Sequence, residues 1–273
     1  MHQWTSSSLI VLAAALVISA VSIIVIRRLS GERLNADSGP VGSVVAISVT
    51  VYSLILGLTV VATYDRFTQA EMAITSELNA LFTTFRLADA YPATYRNQIK
   101  SLTIEYARAV NTNELFGDDE NPANVTPGRD AIRKLYQAEA TLANDPAAPP
   151  AAVQMSITAL MALDDARGSR LSLESEVLPT SLWFVLVLGG GMTVLAIALV
   201  APKSLPLHLV VALSTTMIIA MLLNLVAEMD RPFTEPIRVN TERFAHGLVS
   251  LESERDLAPP MIETPVSATP VIQ

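Results

Sequence analysis

Cysteine is absent from the 273 residues. A disulfide scaffold, a thiolate metal site and a cysteine nucleophile are excluded, while the redox compartment stays open. Charge is also scarce, because Asp, Glu, Lys and Arg make up 16% of the chain, and the mean hydropathy is +0.43. That is too apolar for an ordinary soluble protein and too rich in charged blocks for a pure membrane bundle, so the chain must divide into two kinds of region. No basic cluster offers phosphates a landing surface, and the net charge of −8 argues against nucleic acid as a partner. His2, His208 and His246 stand far apart, and none has a second ligand one turn away, so no metal or cofactor is expected. Asp164 and Asp165 are adjacent and point to different helix faces. Gly189, Gly190 and Gly191 lie inside an apolar run without the Lys-Ser or Lys-Thr of a phosphate loop, and suit close helix packing instead. No enzyme is expected.

Long apolar runs are what the chain does have. From Val41, VGSVVAISVTVYSLILGLTVVAT is 23 residues without a charge, enough to cross a ~30 Å hydrocarbon core at ~1.5 Å per residue. It continues without Gly or Pro into YDRFTQAEMAITSELNALFTTFRLADAY. There Phe67, Ile74, Leu78, Leu81, Phe85 and Ala88 recur at helical spacing, one apolar stripe on a water-exposed helix. The pattern predicts a single long helix that leaves the membrane at Tyr64, Asp65 and Arg66.

Three further runs, 9–26, 177–201 and 204–227, join 41–64 as expected spans. The start MHQWTSSS has no Lys or Arg, and Arg27 and Arg28 follow the first run, so a membrane helix is expected there rather than a signal peptide. Residues 65–176 should form a helical extramembrane domain. Pro92 opens a helix carrying Tyr95, Ile99, Leu102, Tyr106 and Ala109, and GDDENPANVTPG reads as a loop. Arg129–Ala143 and roughly Ala151–Leu178 should be helical. Lys203 and its flanking prolines should turn the third span into the fourth as a hairpin. The tail, 228–273, is expected to be disordered beyond about residue 255. The fold class is thus all-α, a four-span bundle with a helical domain inserted between spans two and three.

That parity sets the N-terminus, the inserted domain and the tail on one side. Arg27, Arg28, Arg33 and Lys203 in the two linkers are denser than the cations near the span ends opposite, which places the linkers inside and the helical domain outside a bacterial inner membrane.

Two constellations are candidate sites. Ser48, Tyr52, Thr59 and Thr63 form a polar seam on one face of the second span. Such a seam lines an aqueous path if subunits share an axis, or packs with its hydroxyls on backbone carbonyls, the commoner habit. At one membrane face, parity gathers Asp65, Arg66, Arg167, Arg170, Glu174, Glu176, Glu228, Asp230 and Arg231. Groups there mark an ion path or, more commonly, pair and cap helix ends. Asn224, a turn inside the fourth span, reads as interhelical glue.

The run from LGLTVVATYDRFTQAEMA through SLTIEYARAV, with RGSRLSLESEVLP before the third span and MDRPFTEPIRVN after the fourth, resembles a mostly bacterial membrane family called bestrophin-like, over roughly Val41 to Val239. The family is similar in outline to bestrophins, pentameric anion channels whose second helix lines the pore. The resemblance implies a homo-oligomer in a lipid bilayer that passes or senses ions. Asp230, Pro232 and Phe233 stand where bestrophins have a D-x-P-F-like segment. The acidic run linked to calcium that follows in bestrophins is missing, with only Glu235 in TEPIRVN, so calcium gating is not implied. Bestrophins keep the insert cytoplasmic, opposite to the side that the cations indicate. The alternative function is a non-conducting membrane-anchored scaffold whose helical domain binds a protein partner.

Overall fold

The computed structural model describes residues 6–30, 38–115, 125–199, 204–233, 239 and 241–257. These form eight α-helices, with no strand among the described residues. They are α1 (Ser6–Ser30), α2 (Ser38–Leu87), α3 (Ala93–Ala109), α4 (Val125–Ala143), α5 (Pro150–Ser175), α6 (Thr180–Leu199), α7 (Leu205–Met229) and α8 (Glu242–Leu257). A 3-10 turn at Ala88–Ala90 closes α2, and a π-helical turn at Val110–Leu115 follows α3. The 50-residue α2 is the single long helix expected from the unbroken run after Val41. It starts three residues before that valine.

Two compact units divide the chain. The first comprises Met1–Thr75 and Ala166–Asn240, the second Ser76–Asp165 and Thr241–Gln273.

Unit 1 holds the apolar helices. The apolar part of α2, together with α6 and α7, is long and apolar enough to cross a membrane, and α1 adds a shorter apolar stretch, Leu12–Ile26. Two clusters pack them. Tyr52 and Leu56 of α2 meet Leu186 of α6 and Ile219 and Val226 of α7. Ile23 of α1 meets Ala198 and Ala212. Their outer faces carry Val17, Val21, Phe184, Leu188, Val210 and Ile218, all exposed. In hydrocarbon these need no cover, since lipid tails are as apolar as they are, and helix contact comes from close packing instead.

Unit 2 packs in the ordinary soluble way. Ile74 lies just before its boundary, and Leu78, Leu81, Phe85 and Ala88 continue the predicted stripe, all buried. Ile99, Tyr106, Leu135, Leu142, Leu160 and Leu163 are buried from α3, α4 and α5. Each such side chain removed from water is worth ~1.5–3 kcal/mol.

Several boundaries differ from expectation. α4 begins at Val125 rather than Arg129, taking in Pro127 and Gly128. Proline is tolerated in a first turn because its missing N–H would have had no intrahelical partner. α5 stops at Ser175, and Glu176 to Pro179 are not helical, because Pro179 disfavours helix at the residue before it. The tail contains α8, whose Phe244 and Leu251 are fully buried. It docks in unit 2 through Arg86–Glu254 at 2.6 Å and Arg108–Glu252, with Gly247 close against Leu78. The residues beyond Leu257, the turn around Lys203, and most of the first linker and the acidic loop lie outside the described residues.

One buried acid in unit 2 has a testable consequence. Glu139 on α4 is 2% exposed and accepts hydrogen bonds from Ser156 Oγ at 2.5 Å and Tyr91 Oη at 3.4 Å. Tyr91 also donates to the Ala152 carbonyl, and burial pushes its phenol up to about 12. Desolvation outweighs the two donors and raises the Glu139 carboxyl above its usual 4.5. An acid raised on folding binds its proton more tightly in the folded state. Its stabilisation is complete below the unfolded value and declines as pH rises through the folded one. Glu139→Gln should therefore gain in melting temperature relative to wild type as buffer moves from pH ~4 to ~8. A pH-independent difference between the two would rule the linkage out.

Candidate functional site

Of the span-end charges, Arg66 and Asp230 are brought together. Asp230 ends α7, with its backbone N–H bonded to the Val226 carbonyl at 2.9 Å. Its carboxylate is turned to the start of α6. Oδ1 accepts the Leu178 N–H at 2.7 Å, and Oδ2 accepts the Trp183 indole N–H at 3.2 Å. Because α5 breaks before Pro179, the Leu178 amide has no helical carbonyl to bond, and Asp230 satisfies it as an N-terminal cap would. Arg66 on α2 comes within 3.5 Å of Oδ1, and its other guanidinium nitrogen donates to the Glu176 carbonyl. One carboxylate and one guanidinium thus join α2, the end of α7 and the α5–α6 junction. The Asp230 side chain is 8% exposed and that of Arg66 21%, so the pair is largely withdrawn from solvent.

Arg167 and Arg170 on α5 are buried, and Arg170 lies 3.9 Å from Glu174 one turn on. Glu228 accepts a bond from Asn224 at 2.6 Å. That bond runs along α7 itself, because Glu228 stands one turn ahead at i+4. Asp65 and Arg231 are exposed. The Trp183 indole is a further participant, brought to Asp230 by the first turn of α6.

The seam on α2 turns mostly into unit 1. Ser48 is exposed, while Tyr52, Thr59 and Thr63 are buried. Thr59 donates to the Ile55 carbonyl at 2.9 Å, and Thr63 to Thr59 at 2.9 Å, one turn back in each case. Tyr52 crosses to α6, donating to the Leu186 carbonyl at 3.0 Å. It fits because α6 is glycine there. A Cβ at Gly189 would lie 2.7 Å from Tyr52 Cδ2, and one at Gly190 would lie 2.9 Å from Tyr52 Oη. Gly191 faces open space. Behind this contact a cavity of about 350 Å³ opens among α1, α6 and α7, lined by Ser19, Ser22, Gly190, Gly191, Val194 and Thr216.

On the side of α2 away from the seam, Ile47, Val51, Leu54, Leu58 and Val61 are exposed at alternating four- and three-residue spacing. Asp65, one turn further, continues the same stripe. The sequence gives no separate sign of this face, since every residue between Val41 and Thr63 is uncharged and lipid, neighbour and pore all accept apolar side chains.

Apolar helices of membrane-crossing length, joined at one end by a buried ion pair, define an integral membrane protein. The match to the bestrophin-like domain model covers residues 12–244. The chain belongs to the bestrophin-like family. Among solved structures it is similar to a bacterial bestrophin homologue from Klebsiella pneumoniae, at 16% identity and a TM-score of 0.71 over 90% of this chain and 98% of that one. A single-site variant of that homologue gives 16% and 0.75 over 92% and 100%. A structure described as a membrane protein variant gives 16% and 0.75 over 94% and 100%. No curated protein matches the chain.

Proposed function

We propose that the protein is an oligomeric ion channel or ion sensor of the bestrophin-like type, with α2 beside a shared axis. The observation that carries this reading is the match to the bestrophin-like domain over residues 12–244, and the exposed stripe Ile47, Val51, Leu54, Leu58 and Val61 is the face of α2 that a neighbouring copy would meet. A second copy of the chain is its occupant, because bestrophins, which the family resembles, assemble around their second helix. Four spans, with α1 as the first, bring both ends of the helical insert to one membrane face. Ser48 is the seam residue placed to meet a shared path. Tyr52, Thr59 and Thr63 keep α2 seated on its own bundle. The Arg66–Asp230 clamp couples α2 to the ends of α6 and α7, a structural role ahead of ion contact.

The test is flux through full-length protein in liposomes after its oligomeric mass in detergent has been verified. Flux is expected, and Leu58→Ser should raise it severalfold, since an apolar constriction restricts ions by dewetting. A monomer, or a verified oligomer without flux, would overturn the reading.

Orientation has its own measurement. The chain has no cysteine, so a single cysteine at exposed Asn79 is a unique label site. The cation distribution puts it outside, and a membrane-impermeant maleimide should label it in intact cells. Labelling only after lysis would place the insert in the cytoplasm.

A further inference from the structure

We propose that Asp65 is the charge-selecting residue of this channel and that the ions it admits are cations, an inference that rests on the conduction reading above. Along α2 the exposed stripe carries no charge from Ile47 to Val61, and Asp65 is the next exposed residue on that face. Its immediate neighbour cannot neutralise it. Arg66 points into unit 1, where it is held by Asp230 and the Glu176 carbonyl. Among the described residues no hydrogen bond or ion pair engages Asp65. The next acids along the helix differ in kind. Glu71 is half-buried, and Glu77 is fully buried and accepts the Tyr106 phenol. The next cation on the exposed side is Arg86, ~30 Å along the axis at ~1.5 Å per residue, and it is paired with Glu254.

Copies arranged about α2 would therefore bring one carboxylate each to a single level, at the mouth of an otherwise uncharged apolar stretch. A ring of carboxylates beside low-dielectric walls raises the local concentration of cations and repels anions. Monovalent and divalent cations share this chemistry, and a ring with no second ligand type discriminates by sign of charge before ion identity.

Full-length protein reconstituted in planar bilayers under a potassium chloride gradient tests the assignment. Wild type should favour potassium over chloride. Asp65→Asn should lower that permeability ratio by about tenfold, as loss of ~1.4 kcal/mol of attraction would, and Asp65→Glu should restore it. Asp65→Lys should invert the preference. Each variant must first run at the wild-type oligomeric mass, which the exposed, unpaired position of Asp65 favours. Current that prefers chloride in wild type, or an unchanged ratio in Asp65→Asn, overturns the assignment and leaves conduction standing. Absence of current from a verified oligomer overturns conduction itself, and the assignment with it.

Discussion

Asp230→Ala is expected to melt in detergent far below wild type, by the equivalent of about 3 kcal/mol. Alanine removes both acceptors at once. The Leu178 amide and the Trp183 indole lose their partners, and the Arg66 guanidinium is left partly buried without a counter-charge. Unmet donors in a low-dielectric site cost more than the bonds contributed, which is why truncating one partner exceeds the net value of the pair. Asp230→Asn should fall between the two, because an amide oxygen can still accept from Leu178 but carries no charge for Arg66. Adding Arg66→Met to Asp230→Asn should recover part of the loss. Equal melting of Asp230→Ala and wild type would remove the clamp from any structural account of unit 1.

Gly190→Val should be the second most damaging change, lowering stability by about 1–3 kcal/mol through overpacking. Even an alanine Cβ would stand 2.9 Å from Tyr52 Oη and 3.3 Å from Ile219 Cγ2. Tyr52 has no easy retreat, because its hydroxyl is fixed on the Leu186 carbonyl and its ring lies against Gly189. Gly191→Val should be nearly silent by comparison, since nothing faces that position. Pairing Gly190→Ala with Tyr52→Phe removes the nearest clashing atom, so the double variant should be more stable than the two single losses predict. Strict additivity in calorimetry would show that the ring and the glycine do not meet in the membrane.

What could be read beforehand follows the kind of signal each element leaves. α2 was legible because a charge-free run and an apolar stripe continue one helix with no Gly or Pro between Gly57 and Tyr91. The clustering of Arg66, Glu176 and Asp230 was legible from span parity, which fixes depth. Parity does not fix partners, so the indole of Trp183 and the amide of Leu178 emerged only with coordinates. α8 left a signal in Phe244, Leu248 and Leu251, obscured by six charged neighbours in Glu242–Leu257. The exposed stripe of α2 was illegible in principle. A polar seam marks one face of a membrane helix, but apolar residues all round it leave the opposite face undefined. The buried carboxyl of Glu139 was hidden for a related reason, since its donors Tyr91 and Ser156 lie far from it in the chain.

The threonines of α2 have a consequence for how such a chain changes over generations. Thr50, Thr59, Thr63, Thr68, Thr83 and Thr84 each donate to a carbonyl four residues back. A hydroxyl satisfied by its own helix demands no matching residue on a neighbour. Exchange for serine or alanine at these positions leaves no orphaned partner elsewhere, so inheritance can vary them one at a time. Tyr52 and Asp230 allow no such drift, because each is answered by a group on another helix, and descendants that keep the bundle must alter both members together or neither.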